Sequence, residues 1–302
     1  MPIIIQQPKQ PERPKTLPTE QQLRALLANG LKESVQQILD LHPELKFRIV
    51  GDQLVDSVTG AELWLNKFIT EDEDTKVLKQ DAMKLAKIND EVLITGETGT
   101  GKEIIARAMS GDREGGFYRI NCAAMPEALI ESELFGHSAG AFTGATSAKK
   151  GLIRSATKGV MFLDEIGDLP LLTQAKLLNV LQPVDGKRYV RPVGSAEEIE
   201  IDCRFVCATH RDLKAMIEHG QFRQDLYARI STFTLHIKPL RQRKGDIAPI
   251  VESLGVTLKM ESKAKEFIEK YLDSMLNDDM DLSLNVRSLE QALKRYAVLG
   301  KV

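Results

Sequence analysis

The residues best suited to chemistry form a glycine-rich segment, Gly96-Glu97-Thr98-Gly99-Thr100-Gly101-Lys102, with the spacing G-x-x-x-x-G-K. Glycines let the backbone curl so that successive N–H groups point at one anion, and Lys102 adds a point charge. The segment follows the apolar run Val92-Leu93-Ile94 and precedes a predicted helix, whose N-terminus favours negative charge. This arrangement predicts a site for the β- and γ-phosphates of a nucleotide.

A pair of carboxylates supplies the second half of this site. Asp164 and Glu165 follow the apolar run Gly159-Val160-Met161-Phe162-Leu163, and ligands of open parallel sheets bind where strands end. We expect Asp164 to hold Mg²⁺ through water, and Glu165 to orient and polarise the water that attacks the terminal phosphate. The alternative is a strand that simply ends in a solvated acidic turn. Position 103, where the general pattern has Ser or Thr for magnesium, holds Glu103.

Short β-rich runs alternate with helical stretches from residue 91 onward, which predicts a mainly parallel sheet covered by helices on both faces. The expected strands are 91–95, 117–122, 160–163, 201–208 and 233–237. After Gly245 only helical patterns remain, at 264–276 and 286–299. The fold class expected is therefore α/β, a three-layer core followed by a small helical lid.

The N-terminal region has a different character. Five prolines among the first eighteen residues predict a flexible, extended tail at 1–18. Residues 19–70 are expected to form a small, mostly helical domain, with Thr19 as a helix N-cap and Gly30 between two helices. A turn or short hairpin is expected at 52–60. The α/β core then spans 71–243 and the lid 244–302.

The bulk composition excludes several classes of protein. With 302 residues and a formal net charge of -2, the chain has no basic surplus for binding nucleic acid. Its cysteines, Cys122, Cys203 and Cys207, do not form a disulfide or zinc pattern, and packing in a reduced cytoplasm is expected. Cys203 and Cys207 should point to the same face of one strand. No apolar run indicates a membrane segment or an export signal.

Residues 133–145 read ELFGHSAGAFTGA, and Gly140-Ala141-Phe142-Thr143-Gly144-Ala145 resembles the GAFTGA loop of the bacterial enhancer-binding proteins at all six positions. These are AAA+ activators of sigma-54 RNA polymerase. The resemblance extends from about residue 91 to 243 and more weakly to Arg287. It implies ATP hydrolysis with Mg²⁺, the sigma-54 RNA polymerase holoenzyme as partner, and a homo-oligomeric ring, expected to be a hexamer. In that family the loop presses on sigma-54 during the ATP cycle.

Other positions acquire roles through the same resemblance. Glu103 in place of Ser or Thr is what the family shows. Asn121 resembles the asparagine that couples the water-activating glutamate to the substrate loop. The segment from Phe222 to Arg229 resembles the one that carries arginine fingers, so Arg223 and Arg229 are candidates to reach the neighbouring subunit's γ-phosphate. The alternative for either arginine is a surface salt bridge.

The chain also departs from the family pattern. Thr209 is the candidate for the first sensor, but His210 follows it where the family usually has Asn. Arg287 resembles the second sensor of the lid, although Leu282-Ser283-Leu284 replaces the usual Trp-Pro-Gly before it. No helix-turn-helix is predicted after the lid, so direct DNA binding stays open.

Two other functions remain compatible with the residues. The first is an AAA+ remodeller of a non-transcriptional client that residues 19–70 select. The second is a nucleotide-gated structural or inhibitory module that hydrolyses ATP poorly. The sequence leaves open the target promoters, the signal sensed by the N-terminal residues, and whether it is part of a longer protein.

Overall fold

The computed structural model describes residues 18–41, 47–50, 53–56, 59–111, 113–277 and 279–301. The chain divides into two compact units between Val58 and Thr59. Apart from Pro18, the tail predicted at 1–18 lies outside the described residues, as does Asp52 of the expected turn. None of the described helices has the length and apolar character that a membrane crossing requires.

The first unit contains α1 (Glu20–Ala28), α2 (Lys32–Leu41), β1 (Phe47–Val50) and β2 (Gln53–Asp56). The predicted N-cap of α1 is confirmed, because Thr19 Oγ1 accepts a hydrogen bond from the Gln22 backbone N–H while the Gln22 side chain accepts one from the Thr19 N–H. Gly30, with φ of +77°, lies between the two helices as expected. Four buried side chains form the small core between the helices: Leu23, Leu27, Val35 and Leu39.

The hairpin of this unit lies earlier than expected. β1 and β2 pair antiparallel over Phe47–Asp56, whereas the sequence placed a turn or hairpin at 52–60. Residues from Thr59 onward belong instead to a helix that Thr59 caps through a hydrogen bond from the Glu62 N–H.

The second unit contains, in chain order, α3 (Gly60–Leu65), α4 (Glu73–Leu85), β3 (Val92–Thr95), α5 (Lys102–Ala108), β4 (Phe117–Asn121), α6 (Glu127–Phe135), β5 (Gly136–His137), β6 (Lys149–Lys150), α7 (Leu152–Ser155), β7 (Val160–Asp164), α8 (Leu171–Leu181), β8 (Arg188–Val190), β9 (Ile199–Ile201), β10 (Arg204–Thr209), α9 (Leu213–Glu218), α10 (Gln224–Ile230), β11 (Phe233–His236), α11 (Ile247–Leu258), α12 (Glu261–Leu276) and α13 (Val286–Leu299).

Five strands of this unit form a parallel sheet in the order β11-β3-β10-β7-β4, so the expected α/β fold is confirmed. Alternate residues of each strand enter opposite cores. Leu93 packs in one hydrophobic cluster, while Val92 and Ile94 pack in the other. The three-layer arrangement follows, because both faces of the sheet are buried under helices.

The unit begins before residue 71, where the sequence placed the start of the core. Leu65 and Phe68 are almost fully buried and pack in the same cluster as Val92 and Ile94. Apolar residues that looked like part of the N-terminal domain therefore complete the core beside the sheet.

The run 201–208, expected to be one strand, is divided between two sheets. Ile201 ends β9, which pairs antiparallel with β8, whereas Arg204 begins β10 of the parallel sheet. The buried Arg204 guanidinium donates to the carbonyls of Leu85, Asp90 and Met109. These bonds fix the position of the first residue of β10.

The three cysteines are free and buried, so the prediction that they are packing residues is confirmed. Cys203 precedes β10 rather than sharing a strand with Cys207, yet both pack in one hydrophobic cluster. Burial raises the pKa of Cys203 to about 12 and also raises the pKa values of Cys122 and Cys207.

The helices α11, α12 and α13 form the predicted lid, and α13 has the expected bounds. They share a core of their own around Phe267, Leu289 and Leu293.

Candidate functional site

The glycine-rich loop joins the end of β3 to the start of α5 at the carboxyl edge of the sheet. Gly99 and Gly101 have φ of +79° and +106°, a region that side chains disfavour. A Cβ at Gly99 would lie 2.0 Å from the Leu284 carbonyl oxygen, and one at Gly101 would lie 2.7 Å from the Phe68 ring. Both conformation and space therefore require glycine here.

Lys102 lies at the centre of this loop with only 7% of its surface exposed. Its ammonium group donates to the carbonyl oxygens of Gly96 (2.8 Å) and Glu97 (3.1 Å). The same Nζ lies 3.6 Å from Oε1 of Glu165. The structure thus brings together the loop lysine and the second predicted carboxylate.

Asp164 ends β7, and its Oδ2 accepts a hydrogen bond of 2.7 Å from Arg119 on the neighbouring strand β4. Arg119 also donates to Glu103 (2.6 Å), whose other oxygen accepts a hydrogen bond of 2.9 Å from Arg107. No sequence motif indicates Arg119, because the pairing of β4 with β7 is what places it beside Asp164. Its guanidinium thus bridges the two carboxylates.

The backbone of Glu165 has φ of +55°. In the described part of the chain, both hydrogen bonds to the Glu165 side chain come from His210. Oε2 accepts from the His210 backbone N–H (3.1 Å) and from Nδ1 (2.7 Å). Asn121 lies opposite Asp164 in the strand register, but its Oδ1 accepts from the Ala123 N–H at 2.9 Å.

Thr209, the candidate sensor, ends β10 and is fully buried. Its hydroxyl accepts a hydrogen bond of 3.0 Å from the Arg211 N–H, and its carbonyl accepts one of 3.2 Å from the Gly96 N–H. Thr209 therefore connects β10 to the start of the glycine-rich loop.

The lid meets this loop through Asn285, which the sequence analysis did not select. Asn285 is 1% exposed with φ of +56°. Its Oδ1 accepts from the Leu240 N–H (2.6 Å), and its Nδ2 donates to the Thr98 carbonyl (3.0 Å) and to Glu97 (3.3 Å). The next residue, Val286, donates its N–H to the Gly99 carbonyl at 3.1 Å. In the sequence, the position of this asparagine just before a predicted helix, where asparagine is a preferred residue, is what could have drawn attention to it.

A second connection comes from the buried ion pair of Arg243 and Asp246, at 3.0 Å. Arg243 donates to the Thr100 carbonyl (3.1 Å), while Asp246 accepts from the Thr70 hydroxyl (2.8 Å) and the Glu71 N–H (2.5 Å). The loop, the start of the core and the start of the lid are thereby joined. The loop and the start of the core are so far in sequence from Arg243 and Asp246 that these contacts could not be predicted.

The loop, the carboxylates and the lid line a half-open cavity of about 680 Å³. Lys102, Asp164 and Glu165 line one side, and Ile250 and Arg287 line the lid side. This volume lies within the range of small-molecule sites. No cluster of three metal-ligating side chains occurs in the described ranges.

The segment Gly140–Ala145 lies between β5 and β6. It is closed by a hydrogen bond of 2.8 Å from the Gly140 N–H to the Ala145 carbonyl. Phe142 is 47% exposed, and its ring packs edge-on against His137 with centroids 5.0 Å apart. Gly140 and Gly144, at φ of +79° and +101°, have no neighbour within 4 Å of an added Cβ. The loop thus presents a partly exposed aromatic side chain between two glycines with positive φ.

A sequence-family model described as Sigma-54 interaction domain matches residues 68–236. The chain belongs to this AAA+ family.

The Nif-specific regulatory protein of Azospirillum lipoferum is 45% identical over 229 residues, which cover 72% of this chain and 35% of the relative. Regulatory protein AtoC of Escherichia coli K12 is 40% identical over 237 residues, covering 73% and 48%. The chain therefore spans half or less of the length of these curated relatives. NtrX from Brucella abortus in complex with ATP is similar in structure, with a TM-score of 0.65 and 26% identity over 91% of this chain and 59% of that one.

The two candidate arginine fingers of this sigma-54 interaction domain lie outside the cavity lining. Arg223 is exposed and donates to Asp225 on its own helix, at 3.1 and 2.6 Å. Arg229 lies 3.7 Å from the buried Glu91, which also pairs with Arg188. The Nε of Arg229 is buried without a hydrogen-bond partner. Within one protomer, neither guanidinium therefore belongs to the phosphate site.

Proposed function

We propose that the chain hydrolyses ATP in a ring, expected to be a hexamer, and uses the Gly140–Ala145 loop to remodel sigma-54 RNA polymerase so that promoters open. One observation carries the proposal. The Lys102–Glu165 pair lies in a cavity between core and lid, in the same chain that presents Phe142 on a glycine-flanked loop.

The triphosphate would bind to the backbone N–H groups of residues 96–101, with Lys102 between the β- and γ-phosphates. The base and ribose would lie against the lid, where Ile250, Leu254 and Val286 provide apolar surface and Arg287 a charge. NtrX from Brucella abortus has been solved with ATP and with ADP, which supports this ligand. Mg²⁺, bound beside Asp164, would neutralise charge that develops on the phosphates.

Glu165 would orient the attacking water with Oε1, the oxygen that lies beside Lys102. Arg229 or Arg223 of the next protomer would complete the site, and an arginine finger is worth about 10³ to 10⁵ in rate. Since neither arginine lines the cavity of its own chain, catalysis would depend on the ring.

The loop would rise toward sigma-54 on ATP binding and withdraw after hydrolysis. Its base is held by the hydrogen bond of 3.0 Å from the Ser138 N–H to the Val193 carbonyl, and a glycine on each side of the tip gives the backbone there a wider choice of conformations once the Gly140–Ala145 bond opens. An exposed Phe-Thr pair suits a transient protein contact.

A pull-down with purified sigma-54, in the presence of ADP and aluminium fluoride, tests the proposal. The wild type should retain sigma-54, and Thr143→Ala should lose it while keeping ATP turnover near the wild-type rate. Thr146→Ala is the matched control, because Thr146 is exposed and lies just outside the six-residue loop.

Each contrary result selects an alternative. ATP turnover without sigma-54 retention by the wild type would indicate a remodeller of another client. Nucleotide binding without turnover at any protein concentration would indicate a nucleotide-gated module.

A further inference from the structure

The side chain of Glu165 is held on one side only. Both hydrogen bonds to it in the described part of the chain end on Oε2, from the backbone N–H and from Nδ1 of His210. The other oxygen, Oε1, makes no such bond and lies 3.6 Å from the Lys102 ammonium group. One oxygen is therefore anchored, and the other faces the phosphate site.

This anchoring fixes a carboxylate that would otherwise rotate. Glu165 is the first residue after β7, and its side chain is 15% exposed. Because a carboxylate only accepts, the contact at 2.7 Å requires a proton on Nδ1 of His210. His210 follows β10, the strand next to β7, so two neighbouring strand ends set the position of the carboxylate.

Two other polar side chains of the site, Asn121 and Lys102, do not bond to Oε2. The Oδ1 atom of Asn121 accepts from the Ala123 N–H, 2.9 Å away. Lys102 donates to the Gly96 and Glu97 carbonyls. Neither of them anchors Oε2.

We propose that His210 is the positioning residue of Glu165, in place of Asn121. This inference rests on the proposed ATP hydrolysis. His210 holds Oε2 so that Oε1 is aimed at the water beside the terminal phosphate, and it touches neither nucleotide nor water itself. A catalytic group held in its productive orientation reacts faster, and a displacement of about 1 Å costs up to about a hundredfold in rate.

The chemistry of the contact predicts which substitutions preserve it. Nδ1 of histidine and Nδ2 of asparagine are both bonded to Cγ, so His210→Asn places an N–H donor at the same distance from the backbone. His210→Gln places its donor one bond farther away. His210→Ala keeps only the backbone N–H.

The test measures ATP turnover, affinity for a fluorescent ATP analogue and thermal midpoint for the full chain and these variants. We expect His210→Ala and His210→Gln to lower kcat about tenfold or more, with the Kd of the analogue unchanged. His210→Asn should retain most of the turnover. His219→Ala is the control, because this exposed histidine bonds within its own helical turn, to the Ala215 carbonyl, and does not line the cavity.

Rescue by asparagine but not by glutamine would establish the positioning role, since a loss of folding would lower the thermal midpoint and raise Kd together. Turnover of His210→Ala equal to or above that of the wild type would overturn the inference, as would equal losses in the asparagine and glutamine variants. A wild type that binds the analogue without hydrolysing ATP would overturn the proposed function itself.

Discussion

Arg119 bridges Asp164 and Glu103 in the lining of the cavity, at distances of 2.7 and 2.6 Å. A cation that approaches Asp164 must compete with this guanidinium. We therefore expect Arg119→Ala to lower the Mg²⁺ concentration for half-maximal nucleotide binding by about three- to tenfold, because charge pairs near a protein surface are worth about 1 kcal/mol. Titration of fluorescent-nucleotide binding with Mg²⁺ measures this.

Arg107→Ala is the matched control for this prediction. Arg107 pairs with Glu103 but not with Asp164, so the Mg²⁺ dependence should stay close to that of the wild type. A lower Mg²⁺ concentration for half-maximal binding in Arg107→Ala alone, or a higher one in Arg119→Ala, would mean that Arg119 helps to hold the nucleotide instead.

The raised pKa values of the buried cysteines lead to a second prediction. Since the thiolate is the reactive form, burial that raises the pKa of Cys203 to about 12 keeps it neutral at pH 8. Iodoacetamide should modify none of the three thiols in the native protein within the time in which urea-unfolded protein reacts fully. Mass spectrometry counts the added groups, and rapid native labelling would show that the core opens.

The sequence supplied the residues that share a motif, and it missed those that meet through the strand order. Lys102 and Glu165 were expected at one site and lie 3.6 Å apart. By contrast, Arg119 and His210 contact the carboxylates only because β4 and β10 flank β7. A single sequence does not reveal that neighbourhood, so these contacts were not predicted.

At the scale of elements, α13 is tied to the phosphate-binding loop by Asn285, whose side chain bonds to Leu240, Glu97 and Thr98. Asn285→Ala removes these bonds. It leaves, at φ of +56°, a residue that has a Cβ but no polar side chain. We expect the free energy of unfolding of the second unit to fall by about 2–4 kcal/mol, and nucleotide affinity to fall with it. Urea unfolding with and without ADP measures both.

Asn285→Gly separates the two causes, since glycine accepts the backbone conformation but also lacks the hydrogen bonds. Its loss should be smaller than that of Asn285→Ala by the backbone strain, about 1 kcal/mol. An Asn285→Ala variant as stable as the wild type would show that the side-chain bonds do not hold the lid.

Element types followed from hydrophobic periodicity, whereas several boundaries depended on distant partners. The helix at 286–299 was expected with the bounds that α13 has, because its amphipathic pattern is local. The run 201–208 was divided because Ile201 pairs with Arg188 of β8, whereas Arg204 pairs with Val160 of β7. The start of the second unit was displaced because Leu65 and Phe68 pack against the sheet core.

At the scale of the whole molecule, one chain contains a cavity with Lys102 and Glu165 but keeps Arg229 near Glu91, away from that cavity. The proposed ring would bring each arginine to the site of the next protomer. Turnover per protomer should therefore rise with protein concentration, since assembly creates the complete site.

Mixing two inactive variants tests this division of labour. Glu165→Gln should bind ATP without hydrolysing it, and Arg229→Ala should lose most of its turnover because its finger is missing. In a mixed ring, a site with intact Glu165 meets an intact Arg229 from its neighbour, so an equal mixture should recover about a quarter of the wild-type rate if protomers combine at random.

Replacing the first partner with the double variant Glu165→Gln, Arg229→Ala should abolish the recovery. If Arg229→Ala alone hydrolyses ATP at the wild-type rate, Arg229 serves only its ion pair with Glu91, and Arg223 must be exchanged for it in the same experiment. If no mixture recovers activity, each protomer acts alone, and the ring has no part in the chemistry.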